Sequence, residues 1–179
     1  QNEVFSVAFS SCQQSVPAGF EPTVLQSEWK SAQMILGVKE GNQILFDYEV
    51  RKFGEARQAI LEELIRLKRE IRPDVVLLPS RDDVHQDHTV IAQECIRAFK
   101  YSSLLQYELP WNNLQFTASL FVSLTAAQVA KKAEAVAAYA SQAHRNYCQP
   151  EFLRSLATVR GVQSGHGFAE AFDVIRWNL

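Results

Sequence analysis

Cysteine is scarce in this chain: Cys12, Cys95 and Cys148 are its three cysteines, and their spacing forms no metal or disulfide motif. A sparse, odd-numbered set excludes a disulfide-stapled scaffold. It reads as free thiols in a reducing compartment, so a cytoplasmic protein is expected. Long apolar runs are missing too. None approaches the roughly 20 residues that span a bilayer, and no signal-peptide pattern stands at the start. Charge of one sign is not in excess, with 18 Lys and Arg against 20 Asp and Glu and a formal net charge of -2. That balance offers no basic surface for nucleic acid and no polybasic run for membrane attachment. Repeats and low-complexity segments do not occur. The chain also lacks an initiator methionine and enters an apolar run at once in "QNEVFSVAFSS". A natural amino terminus usually carries a few disposable residues first, so the expectation is a chain that starts inside a domain.

What is present suits one globular core. With 179 residues, 47% apolar and 21% charged, a single domain over residues 1–179 is expected. Val4 to Ala8 reads as a buried strand. Thr23 and Gln26 form a possible capping box for a helix with Leu25, Trp29, Ala32 and Leu36 on one face, ending at Gly37. "QILFDY" reads as a strand. A long amphipathic helix from Gly54 carries Ile60, Leu64, Leu67 and Ile71 until Pro73 stops it. "DVVLLPS" is apolar throughout, as in a parallel strand covered on both faces. A helix over about 89–99 follows, then strands in "LLQYELP" and "LQFTASLFVSL". Thr125 and Gln128 offer a second capping box, and a further helix spans about 150–159 before the tail "GFAEAFDVIRW". Alternating strands and helices predict an α/β fold with a doubly wound sheet.

Between the apolar strand and the next helix lies "SRDDVHQDH". Ligands of open α/β sheets gather beyond the carboxyl ends of strands, so this is where a site belongs. His88 can ligate a metal, with His85 one turn away facing the same cavity. Asp83 and Asp87 can orient the two rings, since carboxylates commonly fix the tautomer of ligating imidazoles. Other readings of the same residues are simple. Asp87 can be a helix N-cap, and Asp82 and Asp83 solvated loop charges.

The stretch "PSRDDVHQDH", with "RPDVVLL" before it, resembles the second signature of the PIG-L (LmbE-like) family of zinc-dependent sugar de-N-acetylases. "SEWKSAQMILGV", "RAFKYSSLLQYELPWNN", "YASQAHRNY", "VRGVQSG" and "AEAFDVIRW" are similar, in the same order, to a bacterial branch of that family. The resemblance implies a Rossmann-like fold with a mostly parallel sheet and helices on both faces. It also implies hydrolysis of an N-acetyl group from an amino sugar in glycoconjugate or polysaccharide metabolism. In that pattern His88 is a Zn2+ ligand, His85 stabilises the oxyanion or protonates the leaving amine, and Asp87 stands behind the histidines. The family's first signature, A-H-P-D-D-E, has no counterpart among His85, His88, His144 and His166, none of which precedes a proline. By the resemblance, the first strand and its metal motif are missing from this sequence. Metal occupancy is then in doubt, and a neighbouring strand should show an unpaired edge. The alternative is a non-catalytic relative that binds a glycan or a partner enzyme.

Other candidates carry two readings each. His144 stands near a helix end, either favourable with its dipole or touching substrate. Arg145 and Arg160 suit a phosphate of a nucleotide- or lipid-linked carrier, or structural pairs such as one with Glu170. Trp111 can stack on a sugar ring or cap the core, and Asn112 and Asn113 favour a turn. His166, between glycines, reads as a loop residue without an assignable role.

Overall fold

A computed structural model describes residues 2–178. Its elements in chain order are β1 (Ser6–Ala8), α1 (Val24–Leu36), β2 (Gln43–Leu45), α2 (Arg57–Ile71), β3 (Val75–Leu78) and α3 (Gln86–Ala98). β4 (Ser103–Tyr107), β5 (Leu120–Leu124), α4 (Ala126–Ala137), α5 (Pro150–Ser164) and β6 (Phe168–Arg176) complete it. The fold is α/β, as expected. The sheet is divided: β1 and β2 form a parallel pair, and a second sheet runs β3-β4-β6-β5. The chain separates into two compact units, residues 1–50 with 123–170 and residues 51–122 with 171–179.

In the first unit, α1 closes as its sequence requires. Gly37 takes φ 83° and its N–H caps the carbonyls of Gln33 and Met34. The capping box expected at Thr23 does not form, because no side-chain bond caps this end. At Thr125 the box is complete, its side chain accepting the Gln128 N–H while Gln128 reaches back to the Thr125 N–H. Glu28, buried on the inner face of α1, accepts the Ser141 N–H at 2.8 Å and the Ser141 hydroxyl at 2.6 Å. The helix expected to end near Val159 runs on through Gly161 and stops at Gly165, where φ is 74°. Gly161 is not a terminator but a contact. A Cβ there would lie 2.7 Å from the Gly167 carbonyl.

In the second unit, Ile60, Leu61, Leu64 and Leu67 bury one face of α2. Arg72 then ends the helix in the left-handed region at φ 50°. β4 is an interior strand, parallel to β3 on one side and antiparallel to β6 on the other. β3 is an edge strand, with Val75 and Leu77 exposed, which corrects the expectation of a strand covered on both faces. The third helix starts at Gln86 rather than near Thr89, so the histidine motif lies on its first turn. Fully buried Glu94 of α3 accepts Arg57 of α2 and Arg97 of its own helix, each at 2.5 Å. One carboxylate between two guanidinium groups satisfies the charge that burial would otherwise penalise.

Candidate active site

Asp83 is the hub of the site. Its side chain is fully buried and makes three bonds. Oδ1 accepts the backbone N–H of His85 at 2.7 Å and the Asn112 amide at 2.9 Å, and Oδ2 accepts His88 Nδ1 at 2.8 Å. Several contacts hold it there. The Ser80 hydroxyl accepts the Asp82 N–H at 3.1 Å, tightening the turn after β3. Asp83 also bridges Asn113, flanked by Val84 N–H to Asn112 O at 3.0 Å and Leu114 N–H to Asp82 O at 2.9 Å. Asn113 shares this bridge, and its side-chain amide is buried without a protein partner.

His85 is the N-cap of α3, with φ -81° and ψ 115°. Its Nδ1 accepts the N–H of Asp87 at 3.2 Å, so the ring proton resides on Nε2. His88 is the reverse case. Its Nδ1–H donates to Asp83, and in the neutral ring Nε2 then carries the lone pair. The two rings stack with centroids 4.6 Å apart. Neighbouring imidazoles thus present one N–H and one lone pair. Burial lowers the pKa of His85, and the adjacent His88 lowers it further, with weaker opposition from Asp87 and Asp83. His85 is therefore a neutral hydrogen-bond donor at neutral pH.

Asp87 does not orient the rings as expected. Its buried carboxylate accepts backbone N–H groups of Arg51 at 2.6 Å and Phe53 at 3.4 Å. Gln86 clamps the same segment, donating to the Arg51 carbonyl at 2.5 Å. Arg51 is held at φ 70°, a conformation that a non-glycine residue adopts only at a cost. Asp87 thus ties the start of α3 to the segment before α2, and Asp83 is the carboxylate behind the His88 ring. The Asn112 contact and the Arg51 anchor have no signal in the sequence, since both join segments about thirty residues apart.

Trp111 is 40% exposed on the turn whose next residue, Asn112, bonds Asp83. His144 and Arg145 lie in the other unit. His144 is exposed, while Arg145 donates to Gln142 at 2.7 Å and to the Tyr147 hydroxyl. Arg160 donates to Gln163 at 2.6 Å, and Glu170 pairs with Lys132 rather than with either arginine. His166 is exposed in the turn after α5.

The donor set can be compared with what zinc needs. His88 Nε2, with Asp83 behind its ring, has the form of one zinc ligand and its orienting carboxylate. Catalytic zinc takes three protein ligands, and among the described residues no cluster of three His, Cys, Asp or Glu side chains is placed to hold a metal. These residues do not fit a complete zinc centre.

Residues 12–99 match the family described as PIG-L, GlcNAc-PI de-N-acetylase. No curated protein matches the chain. Among solved structures, an N,N'-diacetylchitobiose deacetylase from Pyrococcus horikoshii is similar with a TM-score of 0.77 and 18% identity, over 97% of this chain and 73% of that one. The A40926 pseudoaglycone deacetylase is similar with a TM-score of 0.75 and 16% identity, over 99% and 87% of the two chains. A 4-carboxy-2-hydroxymuconate hydratase, GalB of Pseudomonas putida KT2440, reaches a TM-score of 0.74 at 17% identity, over 97% and 84%. At such identities the likeness is one of fold, and the fold is shared by proteins named for different reactions.

Proposed function

The chain carries a PIG-L family segment over residues 12–99, and from that premise we propose that the protein removes the N-acetyl group of an amino sugar by amide hydrolysis. The observation that carries this reading is a pair of stacked rings whose Nδ1 atoms have opposite partners, which with both rings neutral sets an Nε2–H on His85 beside a bare Nε2 on His88. An amide carbonyl gains negative charge as it becomes tetrahedral, and a fixed N–H donor stabilises that oxygen. Neutral His85 supplies such a donor. Proton delivery to the departing amine would require His85 as the imidazolium, with a second proton taken up at Nδ1, the atom that accepts the Asp87 N–H. His88 Nε2 is the atom of this chain that would hold zinc, and zinc supplies carbonyl polarisation and a more acidic water when bound. Because the described residues fall short of a full ligand set, no step is assigned to the metal.

Asp83 fixes the His88 tautomer, and Asp87 fixes the segment on which both rings stand. Trp111 offers an indole for stacking on a sugar face. For His144 and Arg145, substrate contact rests on the family resemblance alone.

The test measures acetate and free amine released from N-acetylglucosamine and N,N'-diacetylchitobiose, with and without added zinc. Turnover is expected to fall by about 10²- to 10³-fold in His85→Gln, the range for losing one oxyanion donor. His88→Ala is expected to lose turnover both with and without added zinc. A second reading, a glycan-binding relative without turnover, draws on the single available ligand. Sugar binding by calorimetry without acetate release under any metal condition would establish it and sink the hydrolase.

A further inference from the structure

The second unit gathers positive charge at the end of the sheet opposite the histidines. A groove of about 390 Å³ is lined by Lys68 and Arg69 from the end of α2, Arg97 from the end of α3, and Lys100 and Tyr101 beyond it. Arg176, at the end of β6, joins them by donating to the Phe99 carbonyl at 3.4 Å. Some of these cations have local work. Lys68 donates to the Ala98 carbonyl at 3.0 Å, a favourable use of charge at a helix C-terminus, and Arg97 pairs with Glu94. Arg69, Arg72 and Lys100 have no carboxylate partner among the described residues and stand exposed. Of the carboxylates nearest in sequence, Glu94 is buried between two guanidinium groups and Glu70 pairs with Arg66, which leaves Asp74, exposed two residues beyond Arg72, against the several cations.

Exposed aromatic rings border the same charge. Tyr101 is 76% and Trp177 47% exposed. Asn178 brings the two segments together, its side chain donating to the Tyr101 carbonyl at 2.6 Å and its N–H to the Ser103 hydroxyl at 3.0 Å. Large exposed rings beside cations that lack a carboxylate partner, with Lys100 Nζ 5.6 Å over the Tyr101 ring, suit a polar–apolar boundary, where aromatic side chains settle at headgroup depth and basic ones meet anionic lipid. A nucleic-acid surface explains the cations as well, but a chain with net charge -2 and an exposed indole, Trp177, beside the groove favours the bilayer.

We infer that this end of the second unit docks on an anionic phospholipid surface. Lys68, Arg69, Arg72, Lys100 and Arg176 meet the headgroups, and Tyr101 and Trp177 enter the interface. β3 and β4 run parallel from this end toward the histidine loop, so the docked unit carries its candidate active site at the far end of the sheet. The contact is peripheral: no described helix is long and apolar enough to cross a membrane.

The experiment is flotation of the full chain with vesicles of phosphatidylcholine alone or mixed with phosphatidylglycerol, across a salt series. Binding is expected only to the mixed vesicles, weakening as salt rises. Each removed charge should lower partitioning about fivefold, so Arg69→Ala with Lys100→Ala should lower it about 25-fold. Tyr101→Ser with Trp177→Ser should weaken binding while leaving the salt dependence as it was. Unaltered melting curves confirm that the variants fold. Failure to bind mixed vesicles at low salt, equal binding to pure phosphatidylcholine, or full binding by the charge-depleted pair each overturns the inference. Full binding by the aromatic pair overturns it too, leaving a merely electrostatic polyanion surface. Displacement of vesicles by a single-stranded oligonucleotide would transfer the surface to nucleic acid.

Discussion

His85 and His88 are chemically the same side chain, and only their Nδ1 partners distinguish them. A backbone N–H faces one and a carboxylate faces the other. Asp83→Asn tests that distinction with almost no change of volume. An amide NH₂ facing His88 Nδ1 would move the ring proton to Nε2 and remove the lone pair. Turnover should fall by about 10- to 100-fold with little change in KM, the usual cost of losing a partner behind a ligating imidazole. Nitrogen NMR of His88 should show the tautomer exchanged. An unchanged tautomer would remove Asp83 from the role given to it. The residue types of this site are legible in "DDVHQDH", but the assignment of carboxylates is not. Asp83 and Asp87 look alike in the sequence, and only the backbone path sends Asp87 toward Arg51 and Phe53.

Burial acts on Cys95 differently. The thiol lies inside α3's packed face, and burial, with a smaller push from Glu94, raises its pKa from 9.0 to about 12. A thiol that resists ionisation in the folded state stabilises that state fully below pH 9.0, its reference value. That contribution is lost as pH climbs toward the folded value, because only the unfolded chain ionises in between. Native protein should therefore leave Cys95 unlabelled by thiol reagents at pH 8, with labelling appearing only in denaturant. Mass spectrometry of labelled peptides gives the answer, and rapid native labelling of Cys95 would contradict its burial.

At the scale of elements, two threonines separate sequence pattern from realised structure. Both Thr23 and Thr125 stand three residues before a glutamine, yet only Thr125 closes its box. Thr23 sits at φ -96° and ψ 4°, away from the extended backbone that lets a hydroxyl turn back on its helix. Thr125→Ala should cost about 1 kcal/mol and Thr23→Ala close to nothing, measured by urea unfolding. Equal losses would mean that Thr23 also caps. Gly161 gives the sharper case. Replacing a mid-helix glycine by alanine ordinarily stabilises by about 0.5–1 kcal/mol. Here the added carbon meets backbone at 2.7 Å, so Gly161→Ala should destabilise by about 1–3 kcal/mol, the overpacking range. A raised melting temperature would show that the 166–167 turn yields freely. No helix pattern in the sequence could report this. The glycine is explained by a turn five residues on, and without that turn it reads as a stop.

At the scale of the whole molecule, periodic features carried over well and assembled ones did not. The inward face of α2 and the end of α1 at Gly37 follow from residues within one element. The cationic groove does not, because its charges come from the ends of α2 and α3 and from β6, each unremarkable alone. A chain with no polybasic run can still build a basic surface. The same reasoning covers β3. Its sequence, VVLL, suits a strand covered on both faces, yet Val75 and Leu77 are exposed, and among the described residues the strand pairs with β4 alone. Edge strands that are apolar and uncharged invite pairing with another chain. The protein should therefore self-associate as concentration rises. Leu77→Lys should suppress this with stability unchanged to within about 0.5 kcal/mol, because an exposed side chain contributes little packing. Sedimentation velocity over a concentration series reads the effect directly. If the lysine variant associates as the parent does, the contact lies elsewhere, and the exposed leucine is one of the solitary apolar residues that any surface carries.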